Sequence, residues 1–438
     1  MENDGLPLAY RELVAKVVPM TVYRVLDADE QRIEKVRAVQ LEILAQLLSV
    51  CRANGLTVFL MYGSLLGYVR NGGFIPGDDD IDVALMREDY DKLLGLSGSF
   101  PDGFLLQSPA AEDCFYGGYT KLRKRGTSCI VPQNWYKDCD EGICIDIFPV
   151  DFAYADRKKE QKKLRRIRQL QRLLYAKSYG FFASFQDMPL LEWKLYKYAG
   201  KLFSRQRLLA AFDRLLAEHD GTGRCRIYTH YTAGAGFSSR EKDSSFPAEL
   251  VGTFLPATFE GLELAIPAGW KELLRLRYGC SFLEMNADGG QMKLRHGFYS
   301  LDVPSKVYKK RFSRAGKNIR AGQKVVLVGD AAGMSEFAEQ FGGRYRPEAL
   351  CMTHTVDWPL PEAFGAARQI SLHDLKEFSS AEFYVVVTGI FFREAEAMLR
   401  DAGVRDYYIF VRNREWLRLA NPEDALWELR GRAGRNDG

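Results

Sequence analysis

Between Gly77 and Met86 the sequence reads "GDDDIDVALM", which puts Asp78, Asp79, Asp80 and Asp82 into five positions. Like charges this close repel, and a solvated loop has no use for Ile81 and Val83 among them. In an extended strand alternate residues point the same way, so Asp80 and Asp82 share a face while Ile81 and Val83 enter a core. Asp78 joins them if the extended geometry starts early. Two carboxylates one residue apart suit Mg²⁺ (or Mn²⁺), an oxygen-seeking ion that also takes substrate phosphate oxygens. The cation removes the repulsion. Asp146, flanked by isoleucines in "CIDIF", is the best third carboxylate, because an apolar strand rarely buries an acid without a use for it. Three such acids from two strands allow a pair of ions clamping the entering and leaving oxygens of a displacement. An EF-hand is excluded, since its required glycine is missing and the flanks are strand-like.

Upstream, "YGS" (Tyr62, Gly63, Ser64) offers backbone N–H groups at a helix start, a place suited to phosphate. Gly63 permits close approach, and Ser64 is expected to cap the helix and donate to an oxygen. Glycine-serine turn, short helix and then Asp80-Ile81-Asp82 on the next strand is the layout of the polymerase-β-like nucleotidyltransferase fold.

The elements that must hold these residues follow from periodicity. Residues 31–54 carry Ile33, Val36, Ile43, Leu44, Leu47, Leu48 and Cys51 on one helical face, with Gly55 as the stop. Strands are expected at 56–61, 81–86 and 142–150, the last two holding the acids, with a helix opening at Arg87. Residues 156–219 read as helical, beginning with a strongly basic segment. Beyond a polar, glycine-containing stretch at 311–323 the pattern becomes strands alternating with helices. That implies a parallel sheet covered on both faces. The expected organisation is an α/β (α+β) chain of two domains: 1–312 with helical additions, and 320–438 as a small Rossmann-like doubly wound unit. "VGDAAG" in the second unit is not GxGxxG, and Asp330 at the helix start repels phosphate. A packing, acceptor-binding or assembly role is expected there in place of a dinucleotide.

Several blocks together resemble the LicD family, which is related to fukutin and fukutin-related protein. They are "YGSLLGYVRNGGFIPGDDDIDVALMREDYDKL", "YTKLRKRGTS", "GICIDIFPVD" and "TFEGLELAIPAGWKELLRLRYG", in family order between about residues 30 and 310. The resemblance implies a metal-dependent phosphotransferase that moves phosphocholine or a polyol phosphate from a CDP-linked donor (CDP-choline or a CDP-polyol) to a glycan hydroxyl, including a lipid-linked one. It implies Asp80, Asp82 and Asp146 as catalytic metal ligands with Asp78 beside them, and Gly63 and Ser64 on the donor phosphate. It also implies Lys121 and Arg123 on the pyrophosphate, with Arg70 close by. Lys121 and Arg123 alternate on a strand and so are expected to point together. Gly77 stands where the family usually has Trp. Glu260 in "FEG" reads as part of a structural turn, and His296 is a weak candidate in a thin histidine-bearing segment. Transfer of a nucleoside monophosphate, or a non-catalytic binding role, would use the same Gly-Ser and Asp-x-Asp features.

The net charge of +4 over 438 residues does not call for nucleic acid, and the basic residues lack the aromatic interleaving of an RNA surface. The basic helix at 157–172 is expected either as a solvated face or as a peripheral contact with anionic lipid or a phosphorylated acceptor. No apolar run approaches the roughly 18 residues of a membrane span, and the start lacks a leader pattern. A cytoplasmic location and eight reduced cysteines are expected, with Cys114, Cys129, Cys139 and Cys144 as an irregular zinc alternative.

Overall fold

The computed structural model describes residues 33–112, 118–131, 134, 137–179, 190–221, 223–228, 245–283, 298–316, 319–320, 322–353, 364–371, 373–378, 382–389 and 392–410. The expectations placed on Cys114 and His296 lie outside the described residues.

The first long helix, α1 (33–53), buries the face anticipated from its spacing: Ile33, Val36, Ile43, Leu44 and Leu47 are fully covered. It ends at Gly55, whose φ of 67° only glycine adopts without strain. The chain then builds a mixed sheet. Its path is β3 (Phe104–Gln107), β4 (Thr120–Lys124), β6 (Cys144–Phe152), β2 (Asp82–Met86), β1 (Phe59–Leu60), β10 (Leu262–Pro267) and β9 (Phe254–Phe259). The short strands β7 (Arg224–Arg226) and β8 (Phe246–Pro247) branch from β6. The pair that matters most is β2 with β6, parallel, while β4 runs antiparallel to β6 on its other side.

Alternation decides which residues enter the core. Ile81, Val83, Leu85, Ile145 and Ile147 join α1 in one apolar cluster. Ala84, Phe148 and Val150 face the opposite cluster with Phe59 and Met61. Two short helices flank the aspartates, α2 (Tyr62–Asn71) before them and α3 (Arg87–Gly95) after. Arg87 ties α3 to the sheet through a two-pronged pair with the buried Asp151, at 2.6 and 2.9 Å.

A helical layer follows: α4 (Arg157–Tyr179), α5 (Leu190–Lys201) and α6 (Arg205–Ala217). Ile167 and Leu174 of α4 meet Leu208, Phe212 and Leu216 of α6. The α7 helix (Trp270–Tyr278) comes after the β9–β10 hairpin. Next, β11 (Phe298–Ser300) pairs with β5 (Ser128–Ile130), and α8 (Ser305–Arg314) leads onward.

The C-terminal part is a sheet of five parallel strands, ordered β14 (Arg368–Ile370), β13 (Pro347–Met352), β12 (Lys324–Gly329), β15 (Phe383–Thr388) and β16 (Tyr407–Phe410). Period-2 alternation splits it cleanly. Val326, Val328, Val385 and Val387 face α10 (Phe392–Asp401), and Val325, Leu327 and Val386 face α9 (Ala331–Phe341). Asp330 caps α9, its Oδ1 accepting from the Gly333 N–H at 2.7 Å. A carboxylate thus sits where a phosphate would otherwise bind.

The two parts share a core. Ile130, Phe298 and Tyr308 belong to the same cluster as the valines of β12 and β15. Glu396 of α10 accepts from Tyr308 at 3.0 Å and from Tyr407 at 2.7 Å, with Arg311 3.3 Å away. Arg393 donates to the backbone carbonyl of Tyr299.

One expectation is corrected. Cys139, read as a reduced thiol, is disulfide-bonded. Cys51, Cys129, Cys144, Cys225, Cys280 and Cys351 are free.

Candidate functional site

Three strands bring three charged side chains into one row. Asp82 on β2 stands opposite Asp146 on β6, and Asp146 stands opposite Lys121 on β4. Residues in register on neighbouring strands project from the same face, so the acid from each of the two predicted β segments meets the other side by side. The Lys121 ammonium donates to Asp146 Oδ1. Burial works to lower the lysine's pKa, but Asp146 outweighs it and holds the proton well above the ordinary lysine range.

Along the aspartate run exposure alternates. Asp78, Asp80 and Asp82 are half-buried, while Asp79 and Ile81 are fully buried. Asp78 and Asp82 both approach Gly63: a Cβ there would lie 3.2 Å from Asp78 Oδ2 and 3.9 Å from Asp82 Oδ2. Glycine at 63 is what lets the carboxylates and the helix start come together. Residue 62, just before, has φ 48°, an unusual left-handed value for tyrosine.

Ser64 does not cap α2 as expected. The N-cap is Met61 and makes no side-chain cap. Ser64 lies inside the first turn, 4% exposed, and its hydroxyl accepts from the Asp82 N–H at 2.8 Å. It therefore pins the helix start to the acid-bearing strand. Arg123 lies two positions along from Lys121 but is spent inside the fold, 3% exposed. Its Nε donates to Gln107 Oε1 at 2.5 Å and its Nη1 to the Gly142 carbonyl at 2.7 Å. Arg70 sits half-buried in the last turn of α2. Glu260, at φ 47° in the β9–β10 turn, accepts from the Phe74 N–H at 3.0 Å and so braces the loop before the aspartates.

Several residues that hold the site carry no motif. Arg37 of α1 donates to the Asp78 carbonyl through Nε (3.0 Å) and Nη2 (2.8 Å), and to the Ile75 carbonyl at 2.9 Å. Gln40 donates to the Asp79 carbonyl at 2.7 Å. Tyr299 of β11 donates its hydroxyl to Asp79 Oδ2 at 3.0 Å. At the end of α7, Tyr278 faces the acids. Burial first, then the charges of Asp82, Asp78 and Asp80, push its hydroxyl above the ordinary tyrosine range, against the pull of Arg277. The one available signal was helical spacing, which places Arg277 and Tyr278 at the end of "WKELLRLRY" without saying what they face.

Beside the row, Cys144 has a depressed pKa of about 6. A hydrogen bond from Cys129 is the main cause, helped by Lys121 and Arg123 and opposed by burial and Asp146.

The donor set fits a hard divalent cation in kind: carboxylate oxygens, two of them converging at Gly63. Among the described residues, however, no group of three or more His, Cys, Asp or Glu side chains is gathered into a ready-made metal site. The Lys121 ammonium supplies the cation nearest Asp146.

Residues 55–181 match the family described as LicD/FKTN/FKRP, nucleotidyltransferase domain. This is the segment that carries Gly63, the aspartate run, Lys121 and Asp146, and it is similar to that family. A 56-residue stretch is 39% identical to the lipopolysaccharide cholinephosphotransferase LicD of Haemophilus influenzae. That match covers 13% of this chain and about a fifth (21%) of the relative's length. Among the described residues no helix is long and apolar enough to cross a membrane.

Proposed function

We propose that the protein is a phosphotransferase of LicD type, moving phosphocholine or a polyol phosphate from a CDP-linked donor onto a glycan hydroxyl. The observation that supports this best is the row Lys121–Asp146–Asp82, set beside the Gly63 turn. We read the mixed sheet as a polymerase-β-like nucleotidyltransferase core and the C-terminal sheet as a Rossmann-like packing module.

Asp82 and Asp146, with Asp78 and Asp80 beside them, would hold Mg²⁺ or Mn²⁺, which supplies charge neutralisation on the pyrophosphate. The chain's own residues do the rest. The Gly63 and Ser64 amides face donor phosphate at the start of α2. Lys121, kept protonated by Asp146, pairs with a pyrophosphate oxygen and in doing so loosens its hold on that carboxylate. Asp146 then accepts the acceptor's hydroxyl proton. The new bond joins the acceptor oxygen to the phosphorus bearing choline or polyol, and the bond to CMP breaks, its electron pair leaving with CMP. Positioning and charge neutralisation supply most of the rate in such a displacement. Arg123 holds the strand in place from within the sheet through Gln107 and the Gly142 carbonyl.

The test is CMP release with Mg²⁺ and CDP-choline, CDP-ribitol or CDP-glycerol in the presence of a glycan acceptor. Asp82→Asn and Asp146→Asn should each lower turnover by more than about 100-fold with an unchanged circular dichroism spectrum. Near-normal turnover in either variant, or recovery of the nucleotide on the acceptor, refutes the proposal.

A further inference from the structure

Helix α5 carries an apolar face that the fold leaves outside. Leu195, Tyr198 and Leu202 follow one another at helical spacing and are 67, 64 and 79% exposed, with Phe203 next to them. The other side of the helix is committed to α4. Gly200 lies against Leu173 with its carbonyl accepting from Lys177 Nζ at 3.2 Å, and Tyr196 sits 5.7 Å from the Arg172 guanidinium. Three large apolar side chains in a row, standing out on one face, mark a contact surface more strongly than scattered exposed leucines do.

The charges around the stripe are mostly positive. From Glu192 to Asp213 the sequence has no acid between those two, and five cations: Lys194, Lys197, Lys201, Arg205 and Arg207. Lys201 stands 5.3 Å from the Tyr198 ring. The neighbouring α4 has ten Lys and Arg against a single acid, Glu160. That acid is buried and already bonded to Arg226 and Tyr228. A second copy of this surface would set mostly cation against cation, which opposes self-association.

We propose that α5 is a membrane-docking face that lies in the headgroup boundary of an anionic bilayer. Leu195, Tyr198, Leu202 and Phe203 enter the acyl boundary, and Lys194, Lys201 and the exposed cations of α4 meet lipid phosphates. An apolar helix face rimmed by Lys and Arg is the combination that such surfaces bind. The inference is independent of the transfer chemistry proposed above.

The full-length protein is spun with vesicles of phosphatidylcholine alone and of phosphatidylcholine mixed with phosphatidylglycerol. Binding to the anionic vesicles only is expected, weakening as salt is raised. Leu195→Ser with Leu202→Ser should reduce partitioning by on the order of tenfold. Lys194→Ala with Lys201→Ala should cost about fivefold per cation removed. Tyr198→Trp gives a direct reading, since its fluorescence should shift to the blue with anionic vesicles and not with neutral ones. Equal binding to both vesicle types, wild-type binding by the serine variant or an unshifted tryptophan overturns the proposal. So does a dimer in sedimentation velocity that the serine variant abolishes, which would assign the stripe to a second copy.

Discussion

Replacing Tyr299 by Phe removes one hydroxyl and nothing else. That hydroxyl donates to Asp79 Oδ2 at 3.0 Å, between residues that are 3% and 0% exposed. Burial first, then the nearby Cys129 and Asp79, hold the tyrosine's pKa well above its ordinary value, so it stays a donor at every physiological pH. A hydrogen bond to a charged group contributes a net ~1.5–3 kcal/mol, and the ring is retained, so the cavity cost is small and a loss of about 2 kcal/mol is expected. Asp79 keeps Gln40 on its carbonyl, and its neighbours Asp78 and Asp80 lose one restraint. Urea denaturation followed by circular dichroism should show the midpoint falling at constant slope. Tyr68→Phe, half-buried on α2, is the control and should change stability by less than ~0.5 kcal/mol. Arg393→Met should reproduce part of the effect, because Arg393 holds the Tyr299 carbonyl. The double variant should then lose less than the sum. If Tyr299→Phe matched the control, or the two losses were strictly additive, the idea that β11 sets the aspartate loop would be refuted.

Arg37→Met strips three donated bonds from the Asp78 and Ile75 carbonyls and should cost ~1.5–3 kcal/mol, read by the same denaturation. Gly67→Ala would put a Cβ 2.5 Å from the Gly73 carbonyl oxygen and 2.9 Å from the Ile75 nitrogen. A loss of ~1–3 kcal/mol from overpacking is expected there, measured as a lowered melting temperature. Alkylation of Cys144 in metal-free buffer should have its half-point at about pH 6 instead of 9.0, and Lys121→Met should move it upward. The folded-state value is the lower one. The thiolate's contribution to stability is therefore complete above pH 9.0 and lost as pH falls through about 6.

The strands that carry the acids were legible in the sequence because each alternates between a core residue and an aspartate. Ile81 and Val83 on one side of the sheet fix where Asp80 and Asp82 must point. The parallel C-terminal strands were legible for the opposite reason, being apolar on both faces. Ser64 was misplaced because a serine after a strand reads as a cap, and nothing in the sequence shows that Tyr62 takes a left-handed backbone and starts the helix three residues earlier. Arg123 alternates with Lys121 as expected, but alternation fixes a face and leaves the partner open, and Gln107 was the nearer one. Arg37 and Tyr299 stand 41 and 220 residues from the aspartates they hold. No local pattern separates them from any other arginine on a helix or tyrosine in a strand.

The valines of β12 and β15 share one apolar cluster with Phe298, Tyr308 and Ile130, and this bears on how the gene can be cut. A chain stopped ahead of Lys324 would leave those rings wet and would take away Arg393 and Glu396. The slackening of the β5–β11 pair would then reach the acids through Tyr299. The parallel-stranded tail is in that sense a keystone for the acidic loop, and grafting another tail in its place would require matching the surface of the β5–β11 pair ring by ring.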